Sequence, residues 1–387
     1  MERIKKICEA AQKQNFDYVV LNSVANVTYA SETEIPLHMG PIDSIANEMP
    51  CALVIIRVDD QKVYMLADAG MRTRIETAGW PENVWYFTVW ADIRPNDPAE
   101  SFRIGLRALL DDVGFGGAKC SVGIEIHTLP YLVWDVLRQR GEFSFADVSG
   151  VMYEARKTKT AGEISTLREI AAIMDVGQQK FNEMMTGGGF TEFDLYYAIL
   201  NAMSDRAGAT MPVTGELVVG QRTCEVKWPG GPLKRQVMPG DIAILDISPR
   251  IYGYWGDCAN VAVCGGNPNE KQKHYVKVVT EVYDELERFL KPGVRCDEAF
   301  ELIRKCYAKY DYDIPHYCGH QIGIDVNERP RLVPYEKAII EENMVFCMEL
   351  GLYEGQGGDT GVRCEKMMLI HKDGCELMNQ FHWGVIP

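Results

Sequence analysis

The 387-residue sequence lacks several features that would place it in a specialised class of proteins. None of its 12 cysteines is spaced as Cys-x-x-Cys, so neither a zinc ribbon nor a dense disulfide scaffold is expected. No apolar run approaches the ~18 residues that a transmembrane helix needs. The first residues, MERIKKICEAAQKQ, carry charges throughout and contain no apolar core of a signal peptide. These absences predict a cytoplasmic protein with free thiols.

Positive charge is also scarce. Lysine and arginine number 40 against 55 aspartates and glutamates, which gives a net charge of −15. That balance argues against nucleic acid or an anionic membrane as a partner. The fractions of hydrophobic residues, 47%, and of charged residues, 25%, are ordinary for a globular protein. The length favours two domains.

The chain changes character near residues 150–160. Residues 1–155 alternate apolar strand patterns at 18–21, 52–56 and 63–66 with helical patterns at 99–112 and 129–140, which predicts a small α/β domain. Residues 156–387 have helices in the middle and strands at both ends, so we expect an α+β domain there. The capping box Thr160-Ala-Gly-Glu163 predicts the start of a long helix, which Gly187-Gly-Gly189 should end.

Two predicted β-hairpins carry paired acidic residues. In the hairpin at 242–263, a turn centred between Ile251 and Tyr252 places Asp246 opposite Asp257. In the hairpin at 345–370, a turn centred on Gly357 places Glu349 opposite Glu365. Like charges facing each other destabilise a strand pair, and a bound divalent cation offsets that cost.

A histidine lies between the two hairpins in sequence. His320 stands within Gly319-His-Gln-Ile-Gly323, so an imidazole can join the four carboxylates. Taken singly, His320 is better explained as a hydrogen-bonded histidine of the core or of a loop. Each acidic residue, taken singly, is better explained as a surface residue in a segment wrongly assigned as a buried strand. Their recurrence in two hairpins favours a site for two divalent cations, with Mn, Co, Zn and Fe as the candidates.

The same residues resemble the motifs of a known family. The motifs, in order, are Leu245-Asp-Ile, Gly253-Tyr-Trp-Gly-Asp257, Gly319-His-Gln-Ile-Gly323, Met348-Glu-Leu-Gly-Leu-Tyr353 and Gly361-Val-Arg-Cys-Glu365. They are similar to those of the pita-bread metallopeptidases, which include methionine aminopeptidase, aminopeptidase P, prolidase and creatinase. The resemblance implies an α+β fold, with a pita-bread catalytic domain at 156–387 and a smaller creatinase-type α/β domain at 1–155.

The resemblance also assigns roles to residues. Asp246, Asp257, His320, Glu349 and Glu365 would bind two metal ions, and Asp257 and Glu365 would bridge them. A metal-bound hydroxide would attack a polarised carbonyl or amidine carbon of the substrate, with Glu349 carrying the proton.

Two further residues match family positions. His316 would take part in catalysis. Arg331 would bind a substrate carboxylate, although an ordinary surface arginine is an equally good explanation of that residue.

The sequence departs from the family at two histidines that help to bind a peptide. The segment Cys224-Glu-Val-Lys-Trp-Pro-Gly-Gly-Pro232 has no histidine, and Asn327 occupies the second position. These losses predict that an ordinary Xaa-Pro dipeptide is not bound in the usual way.

Three functions remain open at this point. The first is a metal-dependent hydrolase of the Xaa-Pro dipeptidase and aminopeptidase P type, which cleaves a C–N bond in a small molecule or dipeptide. The alternative is a creatinase-like or ectoine-hydrolase-like enzyme acting on a small non-peptide metabolite. The third is a pita-bread binding module without catalysis, against which the complete ligand set argues. The resemblance also implies a homodimer.

Overall fold

The computed structural model describes residues 2–37, 49–80, 82–89, 97–226 and 230–385, without the side chains of residues 117 and 118. The chain forms two compact units, Met1–Arg156 and Lys157–Pro387. None of the helices in these described ranges has the length and apolar character that crossing a bilayer requires.

The first unit combines helices with a mixed sheet. Its helices are α1 (Glu2–Lys13), α2 (Val24–Ser31), α3 (Arg72–Thr77), α4 (Pro98–Val113), α5 (Tyr131–Arg138) and α6 (Ser149–Arg156). Its strands are β1 (Tyr18–Leu21), β2 (Ala52–Arg57), β3 (Lys62–Asp68), β4 (Val84–Phe87), β5 (Gly117–Ile124) and β6 (Gly141–Asp147). They lie in the order β4-β3-β2-β1-β5-β6, with β3–β4, β1–β5 and β5–β6 parallel and the other pairs antiparallel.

Local signals explain the longest helix of this unit. The Asp97 side chain accepts hydrogen bonds from the first free amides of α4, and Gly114, with φ +71°, ends the helix in a left-handed conformation. The apolar face of α4, with Phe102 and Leu106, is buried together with the sheet residue Leu66. The predicted α/β architecture is confirmed.

The second unit contains longer helices and a larger sheet. Its helices are α7 (Ala161–Met185), α8 (Glu192–Ala207), α9 (Glu270–Phe289) and α10 (Cys296–Ala308). Its strands are β7 (Val213–Val219), β8 (Ile242–Ile251), β9 (Tyr254–Trp255), β10 (Cys258–Val263), β11 (Gly319–Gln321), β12 (Glu328–Arg331), β13 (Val345–Tyr353), β14 (Gly361–His371) and β15 (Gly374–Leu377). The predicted α+β fold is confirmed.

The sheet of the second unit is antiparallel in all its described pairs. The main path runs β12-β11-β13-β14-β10-β8-β7, with β15 beside β14 and β9 beside β8. Helix α7 packs on β8 and β10, while α9 packs on β13 and β14. The helices therefore support the strands that carry Asp246, Glu349 and Glu365, and the strand that begins just after Asp257.

The start of α7 follows the predicted capping box. The Thr160 side chain accepts a hydrogen bond from the Glu163 amide, and the Glu163 carboxylate accepts one from the Thr160 amide. The helix ends at Met185, just before the predicted glycine stop. Elsewhere in this unit Leu286 and Phe346 are fully buried in one apolar cluster. Burying such a side chain contributes about 1.5–3 kcal/mol.

Candidate metal centre

One row of acidic side chains crosses the sheet of the second unit. The register pairs Glu349 of β13 with Glu365 of β14, as predicted, and Glu365 with Ala259 of β10. Ala259 in turn faces Asp246 of β8. Residues directly opposite one another on neighbouring strands share a face of the sheet. Three carboxylates are therefore collected in one row from strands that are far apart in sequence.

A second row lies beside the first. His320 of β11 faces Cys347 of β13, and the Cys347 thiol is 3.8 Å from the backbone carbonyl oxygen of Asp257. Asp257 immediately precedes β10. As a result, ligand atoms of Asp257, His320, Cys347 and Glu365 all lie within 4.8 Å of one another.

The predicted register of the first hairpin is wrong by two residues. Asp246 faces Ala259, not Asp257. The reason is the turn, whose two residues are Tyr252 and Gly253, with φ of +54° and +82°, between the paired residues Ile251 and Tyr254. This two-residue turn matches the twist of a hairpin and moves the centre by one position. A shift of two residues keeps every side chain on its predicted face, so both aspartates still reach the site.

The imidazole of His320 is oriented by the backbone of the next residue, Gln321. Its Nδ1 is 2.8 Å from the Gln321 carbonyl oxygen, which can only accept a hydrogen bond, so we assign the proton to Nδ1. Its Nε2 lies 3.6 Å from Asp257 Oδ2 and 3.8 Å from Glu365 Oε1. A carbonyl partner of this kind fixes the ring of a metal-binding histidine and leaves the second nitrogen as the ligand.

Burial dominates the electrostatics of the carboxylates. Desolvation, and then the charges of neighbouring carboxylates, raise the pKa of Asp257 and Glu365 well above their usual values. Desolvation also raises the pKa of Glu349, and the positive charge of Arg363 partly offsets the rise. Burial lowers the pKa of His320, which favours the neutral imidazole that a cation needs.

The donor set fits a divalent cation. Glu365 Oε1 is buried and has no hydrogen-bond partner among the described residues. The Ser248 hydroxyl donates to Asp257 Oδ1 at 2.9 Å, so the other oxygen, Oδ2, is the one near His320. The unpaired Glu365 oxygen, Asp257 Oδ2 and the imidazole nitrogen of His320, all buried and close together, are suitable ligands for Mn, Co, Zn or Fe.

Arg363 is one of three residues of this site that were not recognised from the sequence. Its Nη1 donates to Asp246 Oδ2 at 2.6 Å, and its Nε donates to the Tyr353 hydroxyl at 2.9 Å. Its Nε also lies 3.5 Å from Glu349 Oε1. The signal was present in the sequence, because a residue two positions before Glu365 on the same strand must share its face.

Two other residues were not recognised from the sequence. Cys347 was not among the predicted ligands, yet its position two residues before Glu349 puts its thiol on the face of the carboxylates. Glu216 of β7 faces Asp246 and accepts a hydrogen bond from Arg363 at 2.8 Å. Nothing in the sequence near Glu216 resembles a motif, so only the strand pairing revealed it.

His316 is linked to the carboxylates through Tyr353. Its Nε2 is 3.3 Å from the Tyr353 hydroxyl, and its Nδ1 is 2.6 Å from the Tyr317 carbonyl oxygen. Burial lowers the pKa of His316 to about 4, so its imidazole is neutral near pH 7. Through Tyr353 it is linked to Arg363, which has a direct contact with Asp246. Its predicted catalytic role stays a prediction.

Arg331 is exposed at the end of β12 and is paired in register with His320. Its Nε donates to Asn327 Oδ1 at 2.7 Å, and its guanidinium lies 5.6 Å from the centre of the Tyr317 ring. Asn327, the residue at the second missing-histidine position, thus supports Arg331. The other such position falls in the segment 224–232, of which residues 227–229 lie outside the described residues.

Comparison with known proteins gives the class of the fold first. The prolidase from Pyrococcus horikoshii superposes with a TM-score of 0.78 at 23% identity, covering 100% of both chains. The Xaa-Pro dipeptidase from Bacillus anthracis superposes with a TM-score of 0.79 at 20% identity, covering 100% of this chain and 99% of the other. The chain therefore has a known two-domain fold.

Sequence comparison then identifies the family. Residues 165–372 match metallopeptidase family M24, and residues 3–158 match the creatinase/prolidase N-terminal domain. The chain belongs to metallopeptidase family M24. A Xaa-Pro dipeptidase from Pyrococcus horikoshii is 26% identical over 385 residues, which is 98% of this chain and 97% of the relative. These matches confirm the predicted resemblance and the prediction of a hydrolase, and they favour a metal-dependent peptidase over the creatinase-like alternative.

Proposed function

We propose that this protein is a metal-dependent dipeptidase that hydrolyses the amide bond of a dipeptide of the Xaa-Pro type. The observation that supports this most directly is the buried group of Asp257, His320 and Glu365, whose ligand atoms lie within 4.8 Å of one another. The naming of the full-length relative as a Xaa-Pro dipeptidase supports the substrate class.

The proposed ligands divide by position. Asp257 and Glu365 lie closest to His320 Nε2 and would be shared between two cations. Asp246, in the same row as Glu365, would hold one cation, and His320 with Glu349 the other. When bound, the cations would polarise the substrate carbonyl and lower the pKa of a nucleophilic water.

Glu349 is the proposed carrier of the proton. Its carboxylate is directly opposite Glu365, and its pKa is raised by burial, so it can hold a proton at a pH where an exposed glutamate is ionised. From that position it would accept a proton from the attacking water and donate it to the leaving amine. Arg363, 3.5 Å away, would keep the carboxylate oriented through both states.

Arg331 is proposed to bind the carboxylate of the substrate. Because its Nε donates to Asn327, the terminal amino groups are the ones that an incoming carboxylate would meet. Arg331→Lys removes the planar fork, so the KM for a dipeptide should rise by roughly tenfold or more, since hydrogen bonds to charged groups contribute about 1.5–3 kcal/mol. Steady-state kinetics with a dipeptide and with its C-terminal amide would measure this.

The amide serves as the control for Arg331. Without a carboxylate, the substrate should show the same KM with the wild type and with Arg331→Lys, and the metal content should be equal. A KM for the free dipeptide that the substitution leaves unchanged would exclude Arg331 from substrate binding.

A panel of dipeptides tests the substrate class. The metal-loaded enzyme should cleave Xaa-Pro dipeptides, but with kcat/KM below about 10⁴ M⁻¹ s⁻¹, the lower end of common enzyme efficiencies. The reason is that Asn327 and the segment at 224–232 provide no histidine to bind the peptide. Turnover of a small amidino or cyclic metabolite, with no dipeptide cleaved, would contradict the proposal.

The finer properties of the protein are also proposals. We propose two divalent cations per chain, with manganese as the first candidate because the set is rich in oxygen ligands. A homodimer and a cytoplasmic location remain the predictions made from the sequence and from the family resemblance.

A further inference from the structure

A fifth carboxylate, itself buried, extends the acidic row beyond the residues that the family motifs contain. Glu216 of β7 lies directly opposite Asp246 and is 4% exposed. Its neighbour Gly215 has φ +130°, and a Cβ there would lie 2.1 Å from the Asp246 carbonyl oxygen. The glycine therefore permits the close approach of β7 to β8 that brings Glu216 beside Asp246.

The contact that Glu216 makes is with Arg363, not with the candidate ligand atoms. Arg363 Nη1 donates to Glu216 at 2.8 Å and to Asp246 at 2.6 Å, while Arg363 Nε is 3.5 Å from Glu349. The guanidinium of Arg363 is thus shared between Glu216, which is not a proposed ligand, and the proposed metal ligands Asp246 and Glu349. Both Arg363 and Glu216 are almost fully buried, so water screens this interaction little.

We propose that Glu216 is a positioning residue that anchors Arg363 and so keeps Asp246 and Glu349 available to a divalent cation. This inference rests on the proposed metal-dependent function. The four proposed ligand carboxylates would balance two divalent cations, which leaves the charge of Arg363 in excess. Glu216 neutralises that charge. Without it, Arg363 would bind Asp246 and Glu349 more tightly and would repel the cation that they hold.

Metal binding to Glu216→Gln tests the inference. The substitution keeps the shape of the side chain and removes its charge. We expect a Co²⁺ dissociation constant about 10–100-fold higher than that of the wild type, the range typical of lost outer partners of metal ligands. Titration of the chelator-treated protein, followed by the d–d absorption of Co²⁺, measures this without any assay of activity.

Glu192→Gln is the matched control. Glu192 is also a buried glutamate of the same unit, and it belongs to α8. Its partners among the described residues are Arg222, Arg235 and the Leu233 amide, none of which is a proposed ligand. Its substitution should lower stability and leave Co²⁺ binding unchanged. Equal losses of Co²⁺ affinity in both variants would overturn the role of Glu216, because they would reflect general destabilisation.

A double variant tests whether Glu216 acts through Arg363. In Glu216→Gln/Arg363→Gln both charges are removed, so most of the Co²⁺ affinity lost in the single variant should return. If Glu216→Gln alone does not fold, the Co²⁺ affinity of the double variant can still be compared with that of the wild type. An unchanged affinity in the single variant, or a double variant that binds Co²⁺ 10-fold or more weakly than the wild type, would overturn the inference. Absence of Co²⁺ binding by the wild type would instead refute the proposed function itself, which is a distinct result.

Discussion

Asp257→Ala and Glu365→Ala should each abolish stoichiometric metal binding. Both side chains lie within 3.8 Å of His320 Nε2, and both are proposed to be shared by two cations, so the loss of either affects both. Hydrolysis should fall by roughly 10³-fold or more, because the cations supply several kcal/mol of stabilisation to the transition state. Elemental analysis of purified protein and dipeptide kinetics would measure the two effects.

Asp297→Ala is a suitable control for these variants. Asp297 is as buried as Asp257, at 7% exposure for each, and lies in the same unit. Its partners are Arg295 and Lys337, so its removal should change stability without changing metal content. If Asp257→Ala and Glu365→Ala both retain the metal content of the wild type, neither residue is a bridging ligand.

Arg363→Gln should destabilise the protein strongly when a chelator is present. The substitution removes the guanidinium group that now pairs with the buried Glu216 and the half-buried Asp246. Removing one partner of a buried ion pair typically costs about 3–5 kcal/mol. The free energy of unfolding, measured with urea in the presence of a chelator, should fall by that amount.

An exposed ion pair provides the comparison. Arg168 pairs with Glu376, with side-chain exposures of 44% and 38%. Because water screens such pairs, Arg168→Gln should cost no more than about 1 kcal/mol. If the two arginine variants lose the same stability, Arg363 is not the main compensating charge of the acidic row.

The two hairpins differ in how well their register could be predicted from the sequence. The pairing of Glu349 with Glu365 was predicted correctly, since the glycines of the turn mark its centre and the side-chain period of a strand is two. The first hairpin was placed two residues out of register, because nothing in the sequence before the turn indicates that Tyr252 adopts a positive φ. The face of the sheet was nevertheless correct, so Asp246 and Asp257 were both placed on the site face.

Features that depend on neighbouring residues in the sequence could be predicted, and features that depend on other strands could not. Helix α7 could be predicted at both ends, because Thr160 with Glu163 and the glycines after Met185 act within a few residues of sequence. The positions of His316 and Arg331 could not be derived in this way. Each depends on neighbours from other strands, namely Tyr353 for His316 and the pairing with His320 for Arg331.

The sequence by itself predicted the candidate metal ligands of this protein and determined the strands on which they lie. Alternation along a strand decides the face on which each carboxylate lies, and that is a local property. Only the tertiary structure decided which charges compensate one another. Arg363 meets Glu216 across 147 positions of sequence and Asp246 across 117, because β7, β8, β10 and β14 are neighbours in the sheet. Interactions between buried charges depend on distance in space, and strand order sets that distance.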